Sequence, residues 1–332
     1  MLTVLVTGGG GFLGSYIIKD LLKYGYKVVS FSRKAYPELE KLGVHCALGD
    51  ISNSKDVERA LHGVDAVIHT AALAAIWGKY EDFYQTNVEG TRNLIASMKA
   101  RGIQYLVHTS SPSIVFNGDS IEGDDESIPM ATKNLAHYPA TKKLAELEVK
   151  SQINERFFAV CLRPHLIWGP GDPHFFPRLR AKAKLNKIRQ VGDGKNLVDT
   201  IYVENAATAH RQALEALMRD RSLSGRSYFL GQDKEVLCWQ FVRDLLDAAG
   251  EHPELRKVPL WLAYALGTVL EFLYGLFKIY DREPPMTKLL ALQLAKSHYF
   301  SHKNAFNDFG YAPKVTYEAG MLALKAWAQA GK

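Results

Sequence analysis

Val4-Leu5-Val6-Thr7-Gly8-Gly9-Gly10-Gly11-Phe12-Leu13-Gly14 is the stretch on which the reading of this chain turns. An apolar run meets four glycines, and Phe12, Leu13, Tyr16, Ile17, Ile18, Leu21 and Leu22 then recur at helical spacing. The pattern predicts strand, tight turn and helix. One glycine permits a turn that a Cβ would obstruct, one lets backbone N–H groups close on a pyrophosphate, and one lets the helix lie against the strand. The first-turn amides then face an anion with the positive end of the helix dipole behind them. Gly8, Gly11, Phe12, Leu13 and Gly14 are therefore candidate dinucleotide-binding residues, against the plainer reading of a structural glycine turn.

The chain has 332 residues, enough for one large α/β domain or two intimate ones. A net charge of +6 without a dense Lys/Arg run fits a phosphorylated cofactor or an anionic surface better than a nucleic-acid groove. Cys46, Cys161 and Cys238 lie far apart in apolar segments, which predicts buried thiols in a reducing compartment. Pro164 interrupts any helix that would bring Cys161 and His165 together, so no metal site is expected. Met1 leads straight into a core strand, so no signal peptide is expected and a cytoplasmic location follows.

A second strand, Lys27 to Ser32, ends in Ser32-Arg33-Lys34, where a dinucleotide-binding unit meets the adenosine ribose. No acid stands there to hold the 2′-hydroxyl of NAD. Arg33 suits the 2′-phosphate of NADP instead, unless Arg33 and Lys34 are ordinary solvated charges. Val44 to Leu48 leads into Gly49-Asp50-Ile51, with Asp50 placed for the adenine amino group, and Asn53 to Leu61 reads as a short helix. Asp65 to Thr70 opens into Ala71-Ala72, whose small side chains leave room for cofactor contact, and His69 reads as a packed strand-end histidine. Glu81 to Arg101 is a long helical pattern with Phe83, Val88, Leu94, Ile95 and Met98 as its apolar stripe. Asn87 lies on it, and a helix-interior Asn competes with its own backbone unless its side chain is used, which makes it a candidate relay.

The fifth strand, Gln104 to Thr109, runs into Ser110-Ser111-Pro112-Ser113 at the carboxyl edge of the expected sheet; Ser113 reads as a turn former. Asp119 to Pro129, acidic and glycine-bearing, reads as a surface loop. Tyr138-Pro139-Ala140-Thr141-Lys142 follows, with Pro139 suited to a first helical turn and Lys142 four residues after Tyr138 on the same side. A neighbouring ammonium together with a nicotinamide cation favours the phenolate, which predicts a lowered pKa for Tyr138 and its use as proton donor and acceptor. A bare YxxxK is common by chance; here it follows a strand-end serine by 27 residues, downstream of the glycine turn.

With these residues the chain resembles the extended short-chain dehydrogenase/reductase superfamily. The motifs are Thr7-Gly8-x-x-Gly11-x-x-Gly14, Gly49-Asp50, His69-x-Ala71-Ala72, Asn87-Val88-x-Gly90-Thr91, Thr109-Ser110-Ser111, Tyr138-x-x-x-Lys142 and Leu162-Arg163-Pro164-x-x-Ile167-Trp168-Gly169-Pro170-Gly171-Asp172. The resemblance implies Tyr138 as acid/base, Lys142 as the residue that binds the nicotinamide ribose and tunes Tyr138, Ser111 as donor to the substrate oxygen, and Pro164 at the carboxamide. Gly8, Gly11, Phe12, Leu13, Gly14, Ser32, Arg33, Asp50, Ile51, Ala71, Ala72 and Ser110 complete the expected cofactor shell. Many relatives carry Asp near Ser32-Arg33, and its absence turns the expectation towards NADPH, with NAD as the alternative. The second half resembles the 3β-hydroxysteroid dehydrogenase-like branch, through Val191-Gly192-Asp193-Gly194, Asp199-Thr200-x-Tyr202-Val203-x-Asn205-Ala206-Ala207 and Glu283-Pro284-Pro285-x-Thr287. Within it, Tyr36-Pro37-Glu38-Leu39, Gly63-Val64-Asp65-Ala66-Val67 and Trp77-Gly78-x-Tyr80 look like the bacterial 2-alkyl-3-oxoalkanoate reductases, with sterol-4α-carboxylate 3-dehydrogenases as neighbours. Both classes act on substrates with a carboxylate on the carbon next to the reacting alcohol or ketone.

The expected architecture is an α/β Rossmann fold, a doubly wound parallel sheet over residues 1–165 completed by segments from about 190–210. A smaller, mostly helical substrate lobe over 170–330 is interleaved with it. Pro259 to Tyr280 is almost wholly apolar or aromatic but short for a membrane span and interrupted by Glu271. It reads either as a core helix or as an apolar flap able to rest on a membrane or lipid-handling partner. The expected activity is hydride transfer between NADP(H) and a secondary alcohol or ketone of a lipophilic substrate, in a homodimer. Two rivals are a nucleotide-sugar epimerase or dehydratase, for which a polar lobe would replace 259–280, and a non-catalytic NADP-binding sensor, disfavoured by the presence of Ser111, Tyr138 and Lys142 together.

Overall fold

Seven short apolar runs pair side by side in the computed structural model, which describes residues 1–173 and 175–331. They are β1 (Thr3–Thr7), β2 (Lys27–Ser32), β3 (His45–Leu48), β4 (Ala66–His69), β5 (Tyr105–Thr109), β6 (Phe158–Pro164) and β7 (Ser227–Leu230). All are parallel, in the order β7-β6-β5-β4-β1-β2-β3. Burial on both faces explains why these strands read as near-continuous apolar runs rather than alternating ones.

Helices α1 (Phe12–Lys23), α2 (Ser54–Ala60), α3 (Gly90–Ala100), α4 (His137–Ser151) and α5 (Val203–Arg219) cover the sheet. Val4, Val6, Ile68 and Val107 face α1 and α5 in one core, whereas Leu5, Val67 and Leu106 face α2 and α3 in the other. The chain reverses its winding direction between β1 and β4, and in open parallel sheets the crevice outside the strand ends at such a point is where ligands sit. The seventh strand comes from 227–230, not from 190–210. In that interval Ile201–Tyr202 pairs with Ile167–Trp168, and α5 contributes a covering helix instead.

The remaining residues build a four-stranded sheet, two two-stranded pairs and helices around three further cores. Ile121–Asp124 lies within the segment expected as a loop, yet it pairs with His298–Phe300, a partner whose position the local sequence does not encode. The long helical pattern of the fourth crossover is real but not uniform. Tyr80–Tyr84 and α3 are joined by one wide turn, Gln85–Glu89, in which the Gly90 N–H donates to the Gln85 carbonyl five residues back. Such widened turns favour functional positions, and this one carries Asn87.

Helix α6 (Leu260–Leu276) is not the core helix that its composition allowed: among its residues only Ala263 and Gly267 are buried. It docks by its narrow side. A Cβ on Gly267 would lie 2.7 Å from the Thr287 carbonyl carbon, and Glu271 accepts from the Lys288 N–H at 2.7 Å and pairs with its ammonium at 3.1 Å. No helix among the described residues is long and apolar enough to cross a membrane.

Candidate active site

The carboxyl ends of β1, β4, β5 and β6 are in register, so residues distant in sequence meet along one edge. At the end of β1 the chain turns at Gly8, whose φ of +67° is a conformation that L side chains rarely adopt. The turn is closed by the Gly11 N–H donating to the Gly8 carbonyl at 2.8 Å. A Cβ on Gly8 would lie 3.0 Å from the Ala71 backbone, and one on Gly14 would collide with the Gly8 carbonyl oxygen. Gly11 caps α1 with no side-chain hydrogen bond, leaving the first-turn N–H groups directed at the crevice. Gly9 abuts the Ser30 hydroxyl and Gly10 lies under the Tyr36 ring, so these two glycines are small for packing reasons. The cradle is one a phosphate can approach closely, and it fits the group expected from the sequence.

Thr7, absent from the predicted site, ties the edge together. Its hydroxyl accepts from the Thr70 and Ala71 N–H groups, each at 3.2 Å, and meets His69 Nδ1 at 2.6 Å. His69 Nε2 is 3.0 Å from the Thr91 hydroxyl, and burial pushes this imidazole down to about 3, with the Lys142 charge acting in the same direction. His69 is thus the packed strand-end residue expected. At the second strand, Arg33 is exposed beside Asp50. Burial opposes the Asp50 charge, but two hydrogen bonds from Ser52 and the Arg33 guanidinium hold its carboxyl below the usual range. Ile51 is buried beneath, where a Cβ on Gly90 would meet it.

Tyr138 stands in the first turn of α4, and the Ser111 hydroxyl is the one side chain among the described residues that acts to lower its phenol. Burial raises the phenol above its ordinary value, only partly offset by Ser111. The lowered pKa expected of Tyr138 belongs to the phenol with a nicotinamide cation beside it; in the chain by itself desolvation is the larger influence. Lys142 turns instead to the end of β5, donating to the Thr109 carbonyl at 2.6 Å. Its ammonium is buried, and desolvation lowers it to about 8 although Cys161 and Glu146 act the other way. The Ser111 and Ser113 hydroxyls are 2.8 Å apart, so Ser113, expected as a turn former, also orients Ser111.

Asn87 does not point to Lys142. Its Oδ1 accepts from the Leu73 N–H at 2.7 Å, and its Nδ2 donates to the Leu73 carbonyl at 3.2 Å and to the Thr141 hydroxyl at 3.0 Å. Thr141 in turn donates to the His137 and Tyr138 carbonyls, so Asn87 fastens the loop after Ala71-Ala72 to the turn that carries Tyr138. Asn87 is thus a clamp between two segments of the site. Ser110 and Pro164 are both buried at the ends of β5 and β6. Beyond Pro164, His165 Nε2 meets His298 Nδ1 at 2.6 Å, and His298 Nε2 donates to the Gln293 carbonyl at 2.8 Å. No group of three or more His, Cys, Asp or Glu side chains placed to hold a metal ion occurs among the described residues. Cys161 and Cys238 are buried as expected, whereas Cys46 is only half-buried, at the edge strand.

A glycine cradle at the winding reversal, with a serine–tyrosine–lysine set along the same edge, defines a nicotinamide-dependent oxidoreductase of the short-chain dehydrogenase/reductase class. The sequence profile of the 3-beta hydroxysteroid dehydrogenase/isomerase family matches residues 5–260, and the chain belongs to that family. It is 41% identical over 325 residues to a 2-alkyl-3-oxoalkanoate reductase of Stenotrophomonas maltophilia, covering 97% of this chain and 98% of the other. A sterol-4-alpha-carboxylate 3-dehydrogenase (decarboxylating) of Mus musculus is 33% identical, over 94% of this chain and 87% of its own. Among solved structures, a UDP-glucose 4-epimerase of Thermus thermophilus in complex with NAD superposes with a TM-score of 0.76 at 24% identity, covering 100% of both chains. That likeness shows the fold alone.

Proposed function

We propose that the protein reduces the ketone of a long, lipophilic 3-oxo acid with NADPH, the 2-alkyl-3-oxoalkanoate class named for its bacterial relative being the substrate favoured. The observation that carries this reading is the placement of Ser111, Tyr138 and Lys142 together along the strand edge beside the glycine turn, with Lys142 donating to the Thr109 carbonyl at 2.6 Å. Gly8, Gly11, Phe12, Leu13 and Gly14 would hold the pyrophosphate, Asp50 and Ile51 the adenosine, and Ala71, Ala72, Ser110, Lys142 and Pro164 the nicotinamide half. Ser32 and Arg33 would read the 2′-phosphate, which favours NADP over NAD. When bound, the cofactor supplies the hydride. Ser111 donates a hydrogen bond to the substrate oxygen, and Tyr138, kept protonated by burial, gives that oxygen its proton. Lys142 adds positive charge beside the reacting oxygen, and Asn87 positions Tyr138 through Thr141.

The catalytic half is residues 1–165 with β7, and the lobe over 170–330 receives the substrate from the side covered by 259–280. The half-exposed faces of Leu144 and Leu147 on α4 support a homodimer through that helix. The three free thiols support a cytoplasmic setting. Tyr138→Phe tests the reading. It is expected to lower kcat for NADPH-dependent reduction of a 2-alkyl-3-oxo acid by about two to four powers of ten with cofactor affinity kept. Turnover like that of the unmodified enzyme would remove Tyr138 from the chemistry.

A further inference from the structure

We infer that His165, backed by His298, is the receptor for the substrate's carboxyl group, and that this group binds there together with one proton. The inference rests on the proposed reading of the substrate as a 3-oxo acid. It adds the residue that tells such an acid from a plain ketone.

His165 is the first residue beyond β6, on the strand edge that carries Ser111, and its N–H is held by the Leu230 carbonyl at 3.1 Å. Leu166 then takes a φ of +44°, a left-handed conformation in which leucine is uncommon. Such a backbone persists only where its surroundings over-determine it, and it collects at ligand sites. The His165 ring lies against His298 and Phe300, with centroids 4.8 and 5.8 Å away. His298 in turn meets the edge of Phe116, two residues beyond the Pro112–Ile114 turn that Ser111 caps. The pair therefore adjoins the segment that carries the donor to the ketone oxygen. In a 3-oxo acid the carboxyl carbon stands two bonds from the ketone carbon, so a carboxyl receptor belongs next to that donor.

Hydrogen bonding fixes what the pair can offer. The Gln293 carbonyl only accepts, so His298 Nε2 carries a hydrogen and His298 Nδ1 is left as an acceptor. The 2.6 Å contact is then donated by His165 Nε2. With that hydrogen committed, a neutral His165 presents Nδ1 as a bare lone pair, which has no partner among the described residues. The residue keeps 8% of its surface accessible, so a ligand can reach it. Burial, with the charges of His298 and His302, holds His165 well below the ordinary imidazole value, so the ring is neutral when no acid is bound. His302 is engaged by Asp199 at 3.0 Å, and Asp199 also accepts from the Phe300 N–H at 2.8 Å and acts to raise His298.

A bare carboxylate would meet a lone pair and be repelled. Either the acid O–H donates to Nδ1, or Nδ1 takes a proton from solvent and the imidazolium donates to the carboxylate. Both place one proton between ring and substrate, and no bond to carbon is made or broken. The imidazolium form donates at both nitrogens, to the carboxylate and to His298, and the anion compensates its charge where it is buried. His298 is thus a positioning residue that keeps Nδ1 turned to the ligand.

The test has two measurements. In NADPH oxidation with a 2-alkyl-3-oxo acid and its methyl ester, the parent is expected to favour the acid in kcat/KM by about tenfold or more, carried by KM, the worth of one hydrogen bond to a charged group. His165→Phe should abolish that preference. The complex with NADPH is also titrated calorimetrically with the 2-alkyl-3-hydroxy acid, which reduced cofactor cannot reduce further, at mildly alkaline pH in buffers of different ionisation enthalpy. The parent is expected to take up about one proton per acid bound, and His165→Gln, whose amide fills the place without titrating, none. No preference for the acid in the parent, no uptake by the parent, or unchanged uptake in His165→Gln overturns the proposal. So does a loss of NADPH affinity in His165→Phe with the acid preference kept, which would assign the ring to the cofactor carboxamide. Should His165→Phe not fold, His165→Gln carries both measurements. If the parent reduces neither compound, the oxidoreductase reading fails by itself, and the titration still decides whether His165 receives the acid.

Discussion

Lys142 is an ammonium in a dry place, and that fixes the pH behaviour expected of the site. With its pKa lowered to about 8, it is charged below that pH and loses its proton as pH rises through it. The folded chain holds this proton less tightly than the unfolded one, so the cost of burying the charge is fully present below about 8 and is relieved between there and the ordinary 10.5. The alkaline limb of kcat/KM should therefore have a midpoint near 8. In Lys142→Arg it should move above pH ~10, since a guanidinium keeps its proton. An unmoved limb in that variant would assign it to another group. Arg33, exposed and adjacent to Asp50, is expected to discriminate between cofactors. Arg33→Ala should raise the Kd for NADPH by about 10- to 100-fold, the value of a charge-assisted hydrogen bond, and leave NADH nearly unchanged. Equal loss for both in a titration would show that Arg33 is no phosphate reader. The positions of these residues in the fold were legible because spacing within one turn or strand end places them. The burial around the Tyr138 phenol was not, because desolvation depends on what the rest of the chain packs around it.

At the level of elements, α4 and β6 are joined by a buried pair: Arg163 donates to both Glu146 oxygens, at 3.1 and 2.6 Å, and Ser227 of β7 donates to one of them at 2.7 Å. Burial opposes the Glu146 charge, but Arg163 and then Lys150 pull the carboxyl down to about 2. Its contribution is present at neutral pH and is lost only as pH falls towards that value. Glu146→Gln leaves a buried guanidinium uncompensated and should lower unfolding free energy by about 3 kcal/mol in a urea melt. A change within a few tenths would mean that water or a shifted partner satisfies Arg163. Neither partner's role could be read from local pattern, since the two are 17 residues apart on different elements. The wide turn at 85–89 did leave a trace: the buried stripe steps five residues from Phe83 to Val88, one more than an α-helix allows. Ile121–Asp124 left none, because Glu122-Gly123-Asp124 has no apolar alternation and becomes a strand only through His298–Phe300.

For the molecule as a whole, the order of apolar runs and turns was enough to place the strand edge where Gly8, Ala71, Ser111 and Pro164 converge, because short right-handed crossovers leave a parallel sheet few alternatives. What composition could not decide was the surroundings of Leu260–Leu276. An apolar count is the same for a helix that is covered and for one that is bare, and the difference here is made by Gly267 and Glu271 docking against Thr287 and Lys288. The run of four glycines shows the same limit on a smaller scale. The Tyr36 ring is shelved where any side chain on residue 10 would have to go. Counting glycines in that run therefore overstates how many belong to phosphate recognition. A homologue that carries alanine at this place must have given up the aromatic plate that stands over it, and the two positions should change together.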